Sequence, residues 1–282
     1  MLTDKKILIV GLGLIGGSYA MGLKKADLFI GALDVDKTAI DYALENEIID
    51  EGRTDADGDF IAKYDVVIFC LYPSAFEKWI TENGKQLKNG AVRTDVTGVK
   101  SALIPRINAL LDGRCEYIAA HPMAGREISG VQNASPEMFH GANYIITPTS
   151  ENTEGAIALA REIGASLDFK EISVLTPEKH DEMIGYLSQL THGIAVALML
   201  CKDVSGMERY TGDSFRDLTR IAKINDAMWS ELFLANKDEL LSQMELFEKS
   251  FAELKDAVSG GDMEKIREMM RLSTERRRLF DK

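Results

Sequence analysis

The sequence has little with which to build a metal centre or a covalently stapled fold. Its 282 residues hold three cysteines, Cys70, Cys115 and Cys201. They lie far apart with no Cys-x-x-Cys pair, which excludes a disulfide framework or zinc ribbon, fits a reducing compartment and leaves them as core thiols. Histidine is nearly as scarce, with four residues, no His-x-x-x-His and no clustered carboxylate partner, so no metal site is expected. Positive charge is in deficit. The net charge is −12 and the one basic run is Arg276-Arg277-Arg278, which argues against nucleic acid or an anionic membrane as partner. An anionic substrate would need cations placed locally. No apolar run approaches the ~20 residues of a membrane span, and Met1 to Lys6 enters a short strand in place of a signal-peptide core. A cytoplasmic protein is the expectation.

What is present is enough apolar material, 45% of residues, to bury one large or two ordinary domains. The first half alternates strand and helix. Ile7 to Val10 runs into Gly11-Leu12-Gly13-Leu14-Ile15-Gly16-Gly17-Ser18, followed by a helical pattern and a second strand, Leu28 to Leu33. A bare Gly-x-Gly-x-x-Gly is weak, but this one has the strand before and helix after that a dinucleotide fingerprint requires. Gly11 permits the tight turn, Gly13 lets backbone approach a pyrophosphate, and Gly16 lets helix and strand pack closely. Leu14 and Ile15 then open the helix whose N-terminus faces the phosphates. Asp34 closes the second strand where an acidic side chain takes the ribose hydroxyls, and with Asp36 it disfavours a 2′-phosphate, so NAD is expected over NADP, although Lys37 follows.

Further strands are read at Asp65 to Leu71, Ala91 to Asp95, Tyr117 to Ala120, Asn143 to Thr147 and Phe169 to Leu175. The alternation predicts an α/β, Rossmann-type doubly wound parallel sheet over residues 1–170. At the end of the fourth strand Lys100 stands at the ligand edge as a substrate or cofactor contact; a solvated first-turn lysine is the alternative. Pro122 cannot extend a central strand, so His121 should sit where its strand stops, at the edge where open sheets bind ligands. His140 is expected to be a loop residue with no ionic partner.

From Thr176-Pro177-Glu178, a helix start, strands disappear, and residues 171–282 are expected to form an all-α domain. Its first helix carries Ile184, Leu187, Leu190, Ile194 and Leu198 on one face and Gly185, Ser188, Gln189 and His192 on another. His192 there is either a cleft residue or a hydrogen-bonded structural histidine. Arg220, between Leu218 and Ile221, needs an anionic partner. A seam of Leu240, Met244, Phe247, Phe251, Leu254 and Val258 asks for other helices, and a domain this small completes its core with a second copy, giving a homodimer. A neutral imidazole is the side chain best matched to taking a hydroxyl proton near pH 7, which makes His121 the candidate base of a hydride transfer, with Arg220 orienting a carboxylate.

These residues resemble the prephenate/arogenate dehydrogenases of tyrosine biosynthesis over essentially the whole chain. The likeness rests on Gly11 to Ser18, Asp95 to Lys100, His121-Pro122-Met123-Ala124-Gly125 with Glu127 and Gly130, His180-Asp181, His192, Phe215 to Ala222, and Met228-Trp229. It implies a single-function form with no fused chorismate mutase or regulatory domain, and NAD-dependent oxidative decarboxylation of prephenate or arogenate. By the resemblance His121 accepts the ring hydroxyl proton, Arg220 binds a substrate carboxylate, and His192 is a polar substrate contact. Glu127 gates or recognises the side chain, and Trp229 lies near the partner subunit's site. Two positions depart from the family pattern. Gly98 replaces a serine that would bond the hydroxyl or the histidine, a role left to Thr97 or Ser101. Asp213-Ser214 replaces a glycine pair, and the Asp213 carboxylate would favour the ammonium of arogenate. The rival readings are a 3-hydroxyacid dehydrogenase or imine reductase of the same architecture and, in another class, a non-catalytic NAD-sensing regulator.

Overall fold

The computed structural model describes residues 2–111 and 113–281. The chain begins β1 (Lys6–Val10), α1 (Leu14–Lys24), β2 (Phe29–Leu33), α2 (Lys37–Glu45), β3 (Glu51–Arg53), α3 (Gly58–Ile61), β4 (Val66–Phe69), α4 (Pro73–Asn83), β5 (Val92–Asp95), α5 (Ile104–Leu111) and β6 (Glu116–Tyr117). These six strands form one parallel sheet in the order β3-β2-β1-β4-β5-β6. Helices cover both faces, so Ile7, Leu8, Ile9, Val66, Val67 and Ile68 are all fully buried, and the strands read as unbroken apolar runs instead of alternating ones. The order reverses between β1 and β4, and the crevice outside the strand ends there is where such sheets take ligands.

Tyr117 to Ala120 is not one strand. Ile118 gives the last rung to β5, donating to the Arg93 carbonyl at 2.9 Å, and the next amide on that side, Ala120, donates to the Asp95 side chain instead (3.3 Å). Released from the parallel sheet, β7 (Ala119–Pro122) pairs antiparallel with β8 (Asn143–Thr147), which pairs in parallel with β9 (Glu171–Val174) beyond α6 (Glu154–Ser166). His121 therefore stands inside a strand of a second, three-stranded sheet, opposite Ile145. The switch is invisible to a proline rule because Pro122 still ends the strand. The short β3 is a further strand that pattern reading missed.

Thr176 caps α7 (Pro177–Ile184) by accepting from the Lys179 amide at 3.2 Å. A π-helical turn (Gly185–Leu190) then joins α7 to α8 (Thr191–Leu200). Pro177–Leu200 is long and apolar enough to cross a bilayer by length and composition, contrary to the expectation of no such run. Its Ser188, Gln189, Thr191 and His192 nevertheless present polar side chains to a cleft. Next come α9 (Asp213–Thr219) and α10 (Asp226–Ala235).

Contacts divide the chain into compact units at 236/237, away from the 170/171 change in composition. The helices up to Asn236 are bonded into the first unit, for example by the Lys100 and Ser101 amides donating to Asp181 at 2.9 and 2.8 Å. The second unit holds α11 (Lys237–Ser259) and α12 (Met263–Arg277), the latter capped by Asp262, which accepts from the Lys265 amide. Along the α11 seam Leu240 is buried, but Phe247, Phe251 and Val258 are exposed. Cys201 is also exposed, against its expected place in a core.

Candidate active site

The crevice at the β1/β4 switch opens into a cleft of about 920 Å³, whose floor is the glycine turn and whose far wall is the π turn, α8 and α10. Gly11, Gly13, Leu14, Ile15, Gly16 and Asp34 line one end, and His121, Glu127, His192, Arg220 and Trp229 the other. The turn is built for a phosphate. A Cβ on Gly16 would lie 1.9 Å from the Gly11 carbonyl oxygen, so helix and strand touch there, whereas a Cβ on Gly13 would meet nothing within 4 Å. That space lies over the amides at the start of α1, where the helix dipole favours an anion. Asp34 is held in place by the Leu12 amide (2.5 Å) and the Asp36 amide (2.8 Å). Of the nearby cations, Lys37 pairs with Asp41 and Arg53 with Asp57 on the surface.

His121 is half-buried in the cleft wall. Its Nδ1 is 2.9 Å from Nε2 of His180, whose Nδ1 is 2.7 Å from Oδ1 of Asp181. Burial first, then the neighbouring His180 and Lys100, hold the His121 pKa well below the ordinary imidazole value of 6.5. Burial lowers that of His180 too, against the opposing pull of Asp181. Both rings are thus neutral at physiological pH. The His180–Asp181 pair was missed as chemistry because adjacency in sequence says nothing of reach; His180 meets His121 from 59 positions away. His140 likewise has an unanticipated carboxylate, Asp168, at 2.7 Å, and it lies outside the cleft.

Several candidates sit elsewhere. Lys100 is fully buried and outside the cleft, its ammonium bonded to Asp95 (2.7 Å) and to the Ala120 carbonyl (2.6 Å). It folds inward because the buried Asp95 needs a counter-charge, and it thereby braces the residue before His121. Thr97 is also outside, its hydroxyl donating to Asp95. Ser101 Oγ is buried with no hydrogen-bond partner in range among the described residues. Neither hydroxyl stands in for a serine at Gly98, where an added Cβ would make ordinary contacts, 3.7 Å to His121 Cε1 and 3.6 Å to Leu232. Asp213 lies outside the cleft in the first turn of α9, paired with Arg216 at 2.8 Å, so it offers no partner to an ammonium there. Arg220 is exposed in the cleft and paired across it with Glu127. Trp229 lines this same cleft and stacks on His192, with ring centroids 3.7 Å apart, while His192 Nδ1 donates to the Ser188 carbonyl.

A nucleotide-binding sheet that shares one cleft with a neutral imidazole and a guanidinium has the make-up of a dinucleotide-dependent dehydrogenase. Residues 20–173 match the nucleotide-binding domain of prephenate dehydrogenase and residues 176–272 its dimerization domain. The chain belongs to the prephenate dehydrogenase family. It is 32% identical over 270 residues to the prephenate dehydrogenase of Lactococcus lactis subsp. cremoris, covering 93% of this chain and 73% of that one. It is 28% identical to the cyclohexadienyl dehydrogenase of Zymomonas mobilis, covering 93% and 91%. The crystal structure of prephenate dehydrogenase from A. aeolicus in complex with hydroxyphenyl propionate and NAD+ superposes with a TM-score of 0.90 at 30% identity, covering 98% of each chain.

Proposed function

We propose that this chain oxidatively decarboxylates prephenate with NAD, acting as a cytoplasmic homodimer through residues 176–272. The observation that carries the reading is the placement of a neutral imidazole, His121, in the same cleft as the glycine turn. NAD, cradled by Gly11, Gly13 and Gly16 and met at its ribose by Asp34, supplies the hydride acceptor. His121 takes the proton of the ring hydroxyl as hydride leaves the same carbon. The bond from ring to carboxylate then breaks, carbon dioxide departs, and its electron pair completes the aromatic ring. The proton returns from His121 to what is now a phenolic oxygen, so the sum is substrate dianion plus NAD to product monoanion, carbon dioxide and reduced cofactor, with no proton gained or lost.

Charge supports prephenate over arogenate. The substrate end of the cleft is lined by Arg126, Arg220 and Lys223 against one carboxylate, Glu127. Three cations less one anion suit a dianion better than a substrate carrying an ammonium, and Asp213, the anion that would have suited arogenate, is engaged by Arg216 outside the cleft. Spectroscopic assay of NAD reduction with both substrates tests this. Prephenate should be used faster, and Arg126→Ala or Lys223→Ala should each raise its KM about tenfold, the worth of one charge-assisted bond in a wet cleft, with a smaller effect on arogenate. A higher kcat/KM for arogenate would reverse the assignment, and absence of turnover with either would favour a non-catalytic NAD-binding regulator.

A further inference from the structure

We propose that His180 and Asp181 are positioning residues for His121, fixing which of its nitrogens faces the substrate and sharing the proton it takes. The inference rests on the function proposed above. The chain of bonds permits one arrangement of protons. Asp181 is an acceptor only: Oδ1 takes the Lys100 amide at 2.9 Å and Oδ2 the Ser101 amide at 2.8 Å, and Oδ1 also faces His180 Nδ1. His180 therefore carries its proton on Nδ1 and leaves Nε2 bare. That bare nitrogen, 2.9 Å away, must receive the Nδ1–H of His121, so the bare nitrogen of His121 is Nε2, the one left for the substrate hydroxyl.

The frame around the pair is rigid. The Asp181 carbonyl accepts from Asn236 Nδ2 (2.9 Å), which also donates to Gln189 Oε1 (2.8 Å), and Gln189 Nε2 donates to the Leu232 carbonyl (2.9 Å). His180, Asp181, Gln189 and Asn236 are all buried. The work of orienting the base, which a serine at Gly98 would do from the cleft side, is done here from behind.

When the hydroxyl proton reaches Nε2 of His121, the proton on its Nδ1 moves to Nε2 of His180, which becomes an imidazolium facing the Asp181 carboxylate. When the phenolic oxygen reclaims its proton from Nε2 of His121, the second proton steps back. At His121 one N–H bond forms as another breaks, while His180 gains one N–H on the way out and gives it up on the return, so nothing leaves for solvent. A relay with no outlet, ending at a histidine with no exposure to solvent, suits a reaction that consumes and releases no net proton.

The test uses the full-length protein and two variants, His180→Phe and His180→Gln. The charged groups packed around the pair, Asp181 on α7 and Lys100 with Asp95 at the end of β5, are kept in both. With His180→Phe, kcat should fall on the order of 10²- to 10⁴-fold, with the prephenate KM and the NAD Kd within about threefold of wild type. The acid limb of kcat/KM should move from its wild-type position, because His121 then titrates without the coupled ring that accepts its Nδ1–H. His180→Gln, whose amide oxygen can still accept the Nδ1–H of His121 but cannot take its proton, should recover part of kcat. A merely structural role would lower NAD affinity and kcat together and leave the acid limb where it was. Nitrogen-15 NMR of the NAD-bound protein reads the tautomers without turnover: Nδ1 protonated and Nε2 bare on both rings is the expected spectrum. A protonated Nε2 on His121, or wild-type kcat and acid limb in His180→Phe, overturns the proposal. Absence of turnover in the wild type would instead remove the assigned reaction, with the NMR result still deciding the tautomers.

Discussion

His121→Asn is expected to lower kcat for prephenate by about 10²- to 10⁴-fold, the usual worth of a positioned general base, while the NAD Kd stays near the wild-type value. Asparagine is close to isosteric with the imidazole as far as Nδ1, so its amide can still donate to His180 and keep the cleft wall intact. What it cannot do is hold a proton. Since the nitrogen facing the cleft has no role in binding the glycine turn, the loss should fall on turnover and spare cofactor affinity. Stopped-flow measurement of a single turnover separates the chemical step from release, and an undiminished chemical step would remove His121 from the mechanism. Burial, His180 and Lys100 hold the His121 pKa well below 6.5 in the wild type, and a general base acts in its neutral form. The kcat/KM profile should therefore be flat from neutrality down past the ordinary imidazole value and fall only where pH drops through the depressed pKa. Stability carries the same sign: below 6.5 the unfolded chain takes up protons that buried His121 and His180 refuse, so folding weakens as pH falls.

The second large effect concerns the floor of the cleft. Gly16→Ala and Gly13→Ala are expected to separate folding from cofactor binding. At Gly16 the new methyl would stand 1.9 Å from the Gly11 carbonyl oxygen, a backbone atom that cannot swing away, so the turn and α1 must part. The cost is roughly 1–3 kcal/mol of stability, as for other overpacked sites, together with the loss of phosphate contacts. At Gly13 the backbone already has φ −82°, which alanine adopts freely, and no atom lies within 4 Å of the added methyl. Its melting temperature should be unchanged. Its NAD Kd should nonetheless rise on the order of 100-fold, since the methyl fills the approach of the pyrophosphate to the amides and two bonds at about 1.5 kcal/mol each are lost. Calorimetric unfolding and NAD titration of the two variants read both quantities. If Gly13→Ala bound NAD like wild type, the pyrophosphate would not lie over this turn.

Much of this was legible in the sequence because it is local. A strand, three glycines and a helix start occupy adjacent positions, and Asp34 follows one strand later, so spacing alone reports the dinucleotide cradle. The roles of Lys100, Thr97 and Asp213 were not legible. A side chain at the ligand edge of a sheet can turn inward or outward with almost no change in pattern, and the buried demand of Asp95 for a counter-charge turned Lys100 inward. The missing hydroxyl at Gly98 is visible, but the ring that meets His121 comes from α7 and not from Thr97 or Ser101 on the same turn. Pairings between distant elements leave no periodicity to read. The same holds for the change of sheet after Ile118, where the strand keeps its apolar composition while exchanging its partner.

The π turn between Gly185 and Leu190 can be viewed as a one-residue insertion frozen into an otherwise regular helix. An α-helix turns about 100° per residue, and a π turn accommodates one residue more than its α equivalent. Removing one residue from 185–190 should let the helix relax to α-helical register with little rotation of what lies beyond, because the π turn takes up its extra residue within about the same angle. Relaxing to α-helical register with every residue kept would instead carry His192 round by about 100°, off its stack on Trp229 and away from the cleft. A further insertion here should accordingly be less tolerated than a single deletion, and the π geometry itself is what holds His192 in register.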